Sequence, residues 1–365
     1  MHLMVDPARG HPLGRFRGCG NYAVLNPVNR CMAQERIDLS AAGGYATGNL
    51  LLSAERSAFG KKRSVPFRVH YPLAGENHAV VVISHGAGGH IDTHFAQAKH
   101  LASHGFVSIC VEHVGSNLSR MTTGLRIGRN LRDMTHDADE ARNRPADISF
   151  AIDSAIEWNK KHPVLKRRMD TKRIAVMGHS YGAYTAMVVC GIRPALTWFQ
   201  PVIGTGKGLA DSLRDKRVRC GIAMSPQGPG EPFFVKESYA SLAVPLLGIS
   251  GTDDRQQSGE PPEQRRDAFS IWPAGGHAFV WLANAKHVDF TDSTGSERSI
   301  QPLPSSTRES VQHITRVATL MFLNTHLSSG PRRTDGLSVS SLRRYLLGAV
   351  ESVSVLTKPP AAPPR

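Results

Sequence analysis

Apolar residues along the chain fall into short runs of two periods, separated by polar, glycine-rich connections. Pro66-Phe67-Arg68-Val69-His70-Tyr71 alternates apolar and polar residues, which predicts a strand. Ala79-Val80-Val81-Val82-Ile83, Phe106-Val107-Ser108-Ile109-Cys110-Val111 and Ile174-Ala175-Val176-Met177 are apolar almost throughout. Such runs predict strands covered on both faces, as in a parallel sheet. Further strands are predicted at 218–224, 245–249 and 278–282. Between them the period changes to that of helices, around 93–103, 146–159, after residue 181 and over 310–326. The second of these puts Ile148, Ala151, Ile152, Ala155 and Ile156 on one face, and the last does the same with Val311, Ile314, Val317, Ala318 and Met321. Strands alternating with helices predict an α/β fold, a mostly parallel central sheet with helices on both faces.

The pattern sets the expected domain organisation. Residues 1–34 have no clear period and read as an irregular N-terminal extension. Residues 35–330 read as one catalytic domain, without internal repeats. Residues 331–365 read as a partly disordered tail, since Lys358-Pro-Pro-Ala-Ala-Pro-Pro-Arg365 cannot hold a regular element.

Composition changes this picture little. With 365 residues, 40% hydrophobic and 20% charged, the chain is of ordinary globular type. Its net charge of +14 is unusual. Lys160, Lys161, Lys166, Arg167, Arg168, Lys172 and Arg173 lack interleaved aromatics, so a solvated connection is expected there and no nucleic-acid partner. Five cysteines without short metal-type spacing argue against a zinc site or a disulfide framework. Cys110, Cys190 and Cys220 lie in apolar runs and are expected to be buried. No apolar run reaches the roughly 18 residues that cross a bilayer, and no apolar core of a secretory signal opens the chain. The expectation is a cytoplasmic protein without stable membrane insertion, of undetermined oligomeric state.

Chemistry enters at Gly178-His179-Ser180-Tyr181-Gly182. A serine hydroxyl attacks a carbonyl only when a base takes its proton and donors hold the resulting oxyanion. A G-x-S-x-G turn between strand and helix presents such a serine, with glycines letting neighbouring backbone pass close. The bare pattern can arise by chance in a chain with 34 glycines. Its place between the apolar run 174–177 and an apolar helix gives it weight and makes Ser180 the expected nucleophile. Upstream, Ser84-His85-Gly86-Ala87-Gly88-Gly89 follows another buried strand, where an oxyanion loop belongs. The amides of Ala87 and Tyr181 are the expected donors, and Gly86, Gly88 and His179 the expected substrate-binding residues, with the His179 side chain packed beneath the serine. A phosphate loop is the weaker reading, since no G-K-[ST] follows.

The acid is expected at the end of the run 245–249, in Gly251-Thr252-Asp253-Asp254, because open α/β sheets build sites at the carboxyl ends of their strands. Asp254 is preferred to Asp253, with Glu231 behind both. For the base, His277 precedes the strand 278–282 and His287 follows it. Strand direction therefore puts His287, not His277, at the edge that carries Ser180 and Asp254. His90, His94, His100 and His104 lack accompanying cysteine or carboxylate ligands and are expected to be structural, so no metal site is assigned. The stretch 193–217, long for a simple connection, is expected to wall the pocket or form a lid.

Several segments together resemble a known group. They are Arg63-Ser64-Val65-Pro66, Ser84-His85-Gly86, Gly88-Gly89, Leu101-Ala102-Ser103-His104-Gly105-Phe106, Glu112-His113-Val114-Gly115-Ser116-Asn117, Arg144-Pro145-Ala146-Asp147, the elbow itself, Ser225-Pro226-Gln227-Gly228, Gly251-Thr252-Asp253-Asp254 and Ala285-Lys286-His287-Val288-Asp289-Phe290. Over about residues 60–330 the chain resembles the predicted dienelactone-hydrolase-like enzymes of the α/β-hydrolase superfamily, close to platelet-activating-factor acetylhydrolases and cutinase-like polyesterases. The resemblance implies the α/β-hydrolase fold and hydrolysis of carboxylic esters or short acyl groups without metal or organic cofactor, and it supports His287 independently of strand direction. True dienelactone hydrolases use cysteine where this chain has Ser180. The reading is a serine esterase acting on a small-molecule ester through Ser180, His287 and Asp254. A catalytically silent binding protein and an acyltransferase using the same three residues are the alternatives.

Overall fold

The computed structural model describes residues 38–199, 208–255, 259, 261–292, 305–329 and 336–361. The extension expected over 1–34 lies outside the described residues, and so does the middle of the stretch 193–217.

Among the described residues nine strands form one sheet. They are β1 (Thr47–Ala58), β2 (Lys61–Pro72), β3 (His78–Ser84), β4 (Phe106–Val111), β5 (Met169–His179), β6 (Val218–Met224), β7 (Leu246–Asp253), β8 (Ala278–Lys286) and β9 (Val353–Thr357), in the order β1-β2-β4-β3-β5-β6-β7-β8-β9. Strands β3 to β8 run parallel, while β1, β2 and β9 pair antiparallel at the two edges. The helices are α1 (Phe95–Ser103), α2 (Leu118–Thr122), α3 (Ile127–His136), α4 (Ala138–Lys161), α5 (Tyr181–Val189), α6 (Glu263–Asp267), α7 (Ser306–Leu327) and α8 (Val339–Arg343). Among the described residues no helix is long and apolar enough to cross a membrane.

The apolar runs are buried on both sides because two cores lie against one sheet. Val80 and Val82 of β3 pack with Val107, Ile109, Ile174 and Val176 against α4 and α5. Their alternates Ala79, Val81 and Ile83 pack with Ala175, Met177, Ile222 and Ile249 against α1 and α7. This is the mostly parallel sheet with helices on both faces that the sequence predicts. The order β4-β3-β5 reverses the direction of sheet growth at β3. Ser84 there pairs in register with Gly178, so the loops leaving β3 and β5 emerge side by side.

The elements differ from their expected bounds in informative places. The helix expected at 146–159 starts at Ala138, where the Asp137 side chain caps it by accepting from the amides of Asp139 (2.9 Å) and Glu140 (3.2 Å). It continues through Pro145, which has no N–H to give to the carbonyl four residues back. That carbonyl, of Ala141, accepts instead from the Tyr184 hydroxyl of α5 at 3.1 Å. Strand β1 was not expected, because its residues are only half-buried or exposed and its apolar period is faint. It turns into β2 through Phe59 and Gly60, both at positive φ, a two-residue hairpin.

The domain also extends beyond the boundary expected at 330. Strand β9 pairs with β8 from Leu282↔Val353 to Ala278↔Thr357, and Leu342, Val350 and Val353 are buried in the α1–α7 core. A five-residue strand with one buried position carries too little period to stand out within a polar C-terminal stretch. Within the stretch 193–217, Ala195 and Leu209 form an antiparallel bridge, and Arg193 donates to the Ala210 carbonyl at 2.7 Å, so the two ends of the segment are joined.

Loss of the α4 cap gives a direct test of this packing. Asp137→Ala should lower unfolding stability by about 1 kcal/mol, and Asp137→Asn by less, in denaturant titrations monitored by circular dichroism.

Candidate active site

The carboxyl ends of β5, β7 and β8 bring three side chains together. Ser180 sits between the last residue of β5 and the first of α5, with φ 57° and ψ −118°. A left-handed conformation is unfavourable for a residue with a Cβ, so surrounding contacts must hold it. A Cβ on Gly182 would collide with the Ser84 carbonyl, and one on Gly178 with the backbone of Gly182. Only glycine lets the turn close against the end of β3. Backbone and side-chain bonds then fix it. The Ser180 amide donates to the Met224 carbonyl (3.0 Å), and the Ser180 carbonyl accepts from the Tyr184 amide (3.1 Å) and from Gln227 Nε2 (2.8 Å).

Ser180 Oγ lies 2.9 Å from His287 Nε2, and His287 Nδ1 lies 2.8 Å from Asp254 Oδ1. Asp254, one residue past β7, is fully buried; His287, one past β8, stays a third exposed. Burial would raise the Asp254 carboxyl pKa, but the Arg265 guanidinium, the His287 ring and a 2.6 Å bond from Ser250 Oγ outweigh it and hold the pKa below the usual carboxylate range. An ionised Asp254 can only accept, so His287 Nδ1 carries the proton and Nε2 accepts from the Ser180 hydroxyl.

The other acid and base candidates are engaged elsewhere. The Asp253 side chain is exposed. Glu231 pairs with His136 Nε2 at 2.8 Å. His277 Nδ1 accepts from the Leu246 amide at 3.1 Å, at the opposite, amino end of β7. His100 and His104 bond the carbonyls of Leu39 and Ala41.

The loop after β3 faces the elbow. A Cβ built on Gly86 would stand 3.4 Å from Ser180 Cβ. Gly88 and Gly89 donate their amides to the carbonyls of Ser116 and Gly86, whereas among the described residues the amides of Ala87 and Tyr181 have no partner. The other two expected substrate-binding positions, Gly88 and His179, are held as follows. Gly88, at φ 72°, turns toward Met121, where a Cβ would meet Met121 Sδ. His179 is buried behind His287, with ring centroids 4.8 Å apart and Nε2 donating to the His287 carbonyl at 2.9 Å. Burial keeps His179 neutral by lowering its pKa well below the usual value. Through its bond to the His287 carbonyl it holds the segment that carries His287.

Beneath the loop lies a buried polar network. His85 Nδ1 donates to the Gly86 carbonyl (2.7 Å), and its Nε2 accepts from the His113 amide (3.0 Å). His113 Nδ1 donates to Asp147 Oδ2 (3.0 Å) and its Nε2 accepts from Ser84 Oγ (2.9 Å). Asp147 is further paired with Arg56 (2.7 Å) and Arg63 (2.9 Å). Burial, then the Arg144 charge, lower the His113 pKa to about 3, so its ring is neutral. For Asp147, burial acts upward, but the His113 bond and Arg63 prevail and the pKa falls to about 2.

Sequence reasoning did not single out Gln227, Ser250 or Arg265. Gln227 stood only inside a segment carrying the family resemblance, and neither Ser250 nor Arg265 carries a local signal, because both act through the fold on Asp254.

No protein-family model matches the chain. Among curated proteins it is similar to the platelet-activating factor acetylhydrolase of Cavia porcellus, 23% identical over 268 residues, 63% of this chain and 53% of that protein. That of Bos taurus is 25% identical over 252 residues, 60% and 49% of the two chains. Cutinase 2 of Thermobifida cellulosilytica is 27% identical over 151 residues, 41% and 49%. The chain spans about half the length of the curated relatives it matches. These relatives belong to the α/β-hydrolase superfamily, and the chain has the α/β-hydrolase fold.

Asp147 makes a pH prediction. Its folded pKa lies below the unfolded value, so the stability it contributes is fully present above pH about 4 and is lost as pH falls toward about 2. Asp147→Asn should therefore be markedly less stable than wild type at pH 7, with the difference shrinking below pH 4. Denaturant midpoints across that range measure it.

Proposed function

We propose that the protein is a serine hydrolase that cleaves carboxylic esters through an acyl-enzyme, with Ser180 as nucleophile, His287 as general base and acid, and Asp254 as the group that orients the imidazole. The observation that carries this reading is the unbroken hydrogen-bond line from Ser180 Oγ through His287 to Asp254, beside two amides with no other partner among the described residues. The names of the relatives, an acetylhydrolase and a cutinase, agree with ester cleavage.

In this mechanism Ser180 Oγ attacks the ester carbonyl while its proton passes to His287 Nε2. The imidazolium that forms is stabilised by Asp254, which stays ionised. The carbonyl oxygen, now negative, is held by the amides of Ala87 and Tyr181. Tyr181 also opens α5, whose amino-terminal dipole favours negative charge there. His287 then returns the proton to the leaving alkoxide, and the alcohol departs. Water attacks the acyl-Ser180 ester by the same route, with His287 as base, and releases the carboxylic acid. Gly86, whose missing side chain would stand against Ser180, leaves room for the substrate carbonyl. The substrate in this reading is a small-molecule carboxylic ester.

Ser180→Ala tests the proposal. It should lower turnover of p-nitrophenyl acetate and butyrate by about four orders of magnitude or more while the unfolding midpoint stays within a few degrees. A fluorophosphonate probe should label the wild type and not the variant. Unchanged turnover in Ser180→Ala would rule the assignment out.

A further inference from the structure

The two elements that carry the Ala87 and Tyr181 amides meet on one side chain. Arg144, in α4, is fully buried. Its Nη2 donates to the carbonyl of His85, in the loop after β3, and to Ser84 Oγ at 3.1 Å. Nη1 donates to Ser116 Oγ at 2.8 Å, and the Ser116 carbonyl in turn holds the Gly88 amide. Nε donates to Thr185 Oγ1 at 3.0 Å, one turn into α5, and the guanidinium carbon sits 4.3 Å from the centroid of the Tyr181 ring. One face of the planar fork therefore addresses the Ala87 loop from both of its ends, while its stem and π-face address the start of α5.

Burial lowers the Arg144 pKa only to about 10, so the group is cationic at neutral pH. It makes no direct ion pair among the described residues. The acidic network of Asp147 with Arg56 and Arg63 reaches it through His113 and Ser84. Burying a cation without a carboxylate at contact is costly, and a hydrophobic residue of that volume would fill the space at lower free energy. What the guanidinium supplies instead is five donors in fixed directions.

We propose that Arg144 is a positioning residue that sets the spacing between the Ala87 and Tyr181 amides, so that both reach the oxyanion of the transition state. The inference rests on the ester-hydrolase reading of Ser180. It places on α4, outside the elbow and the loop, a residue on which transition-state binding depends. Because the amides act on the oxyanion and not on the uncharged ester, their misplacement lowers kcat and leaves KM nearly unchanged.

The test compares full-length wild type with Arg144→Lys, Arg144→Met and Thr185→Val, each normalised by active-site titration. Arg144→Lys keeps the charge but not the fork. It should lower kcat for p-nitrophenyl butyrate by about tenfold to a hundredfold with KM within about twofold, and Arg144→Met should do no better. Thr185→Val removes the α5 anchor, together with the Thr185 Oγ1 bond to the Tyr181 carbonyl at 2.9 Å, and should show a smaller loss with the same split. The Ki of a trifluoromethyl ketone, which forms a tetrahedral adduct with the serine, should weaken in proportion to the loss of kcat/KM across the series. Full activity in Arg144→Lys and Thr185→Val overturns the proposal, as does a loss carried by KM or one that leaves the ketone Ki unchanged. Ser180→Ala run in parallel separates the two levels. If it is inactive while the Arg144 variants are unimpaired, the positioning role alone fails; if it is active, the reading of the site fails with it.

Discussion

Bare backbone meets bare backbone where the elbow closes against the end of β3, and the geometry around Ser180 depends on that contact. The Ser84 carbonyl occupies the space that a Cβ on Gly182 would need, and Gly178 is in register with Ser84 across the sheet. Because nothing intervenes, the loop after β3 and the first turn of α5 lie within reach of one another, and Ser180 is held at a φ that it would not adopt by itself. The parallel strands then decide what can join it. Side chains just past β7 and β8 emerge at the same edge, which is how residues 74 and 107 positions away from Ser180 in the chain come to lie in one line of hydrogen bonds.

Among the described residues the combination of serine, histidine and aspartate occurs twice, and the contrast shows what environment contributes. Ser84, His113 and Asp147 are bonded in the same sense as Ser180, His287 and Asp254, with similar distances. The first set is sealed: all three are fully buried, and Ser84 Oγ also receives a hydrogen bond from Arg144. The second ends on a partly exposed histidine. In each, a carboxylate is kept ionised in the interior by arginine together with its histidine, since an unpaired buried charge would be prohibitive. Identical side chains thus act as a brace in one place and line an open edge in the other.

Much of this was legible in the sequence where a local pattern coincided with a requirement of the fold. Val80 to Ile83 and Ile174 to Met177 announce parallel strands because both their faces are covered, and the direction of 278–282 separates His287 from His277. The edge strands were not legible. In β1 every second residue is merely half-covered, and β9 offers five residues with a single buried one, so neither produces a clear apolar period. Nor could spacing reveal Arg265 or Gln227, whose partners are a backbone carbonyl or a carboxylate brought to them by distant segments. The His179 side chain packs beneath the serine as its place in the turn suggests, but its partner was not legible for a related reason. Its neighbour in sequence is Ser180, but its partner in space is the carbonyl of His287.

The edge strand β9 has a bearing on how the chain is made. Strand β8 is complete at Lys286, but the segment that covers its open side begins only at Val353. During synthesis from the amino terminus, the elbow and its partners at 254 and 287 have left the ribosome while β8 still presents an unpaired row of amides and carbonyls next to the apolar Phe279 and Trp281. An exposed edge of that kind invites pairing with another nascent copy. Until residues 353–357 pair with it, β8 keeps one unsatisfied edge, so the C-terminal strand is what closes the sheet on that side.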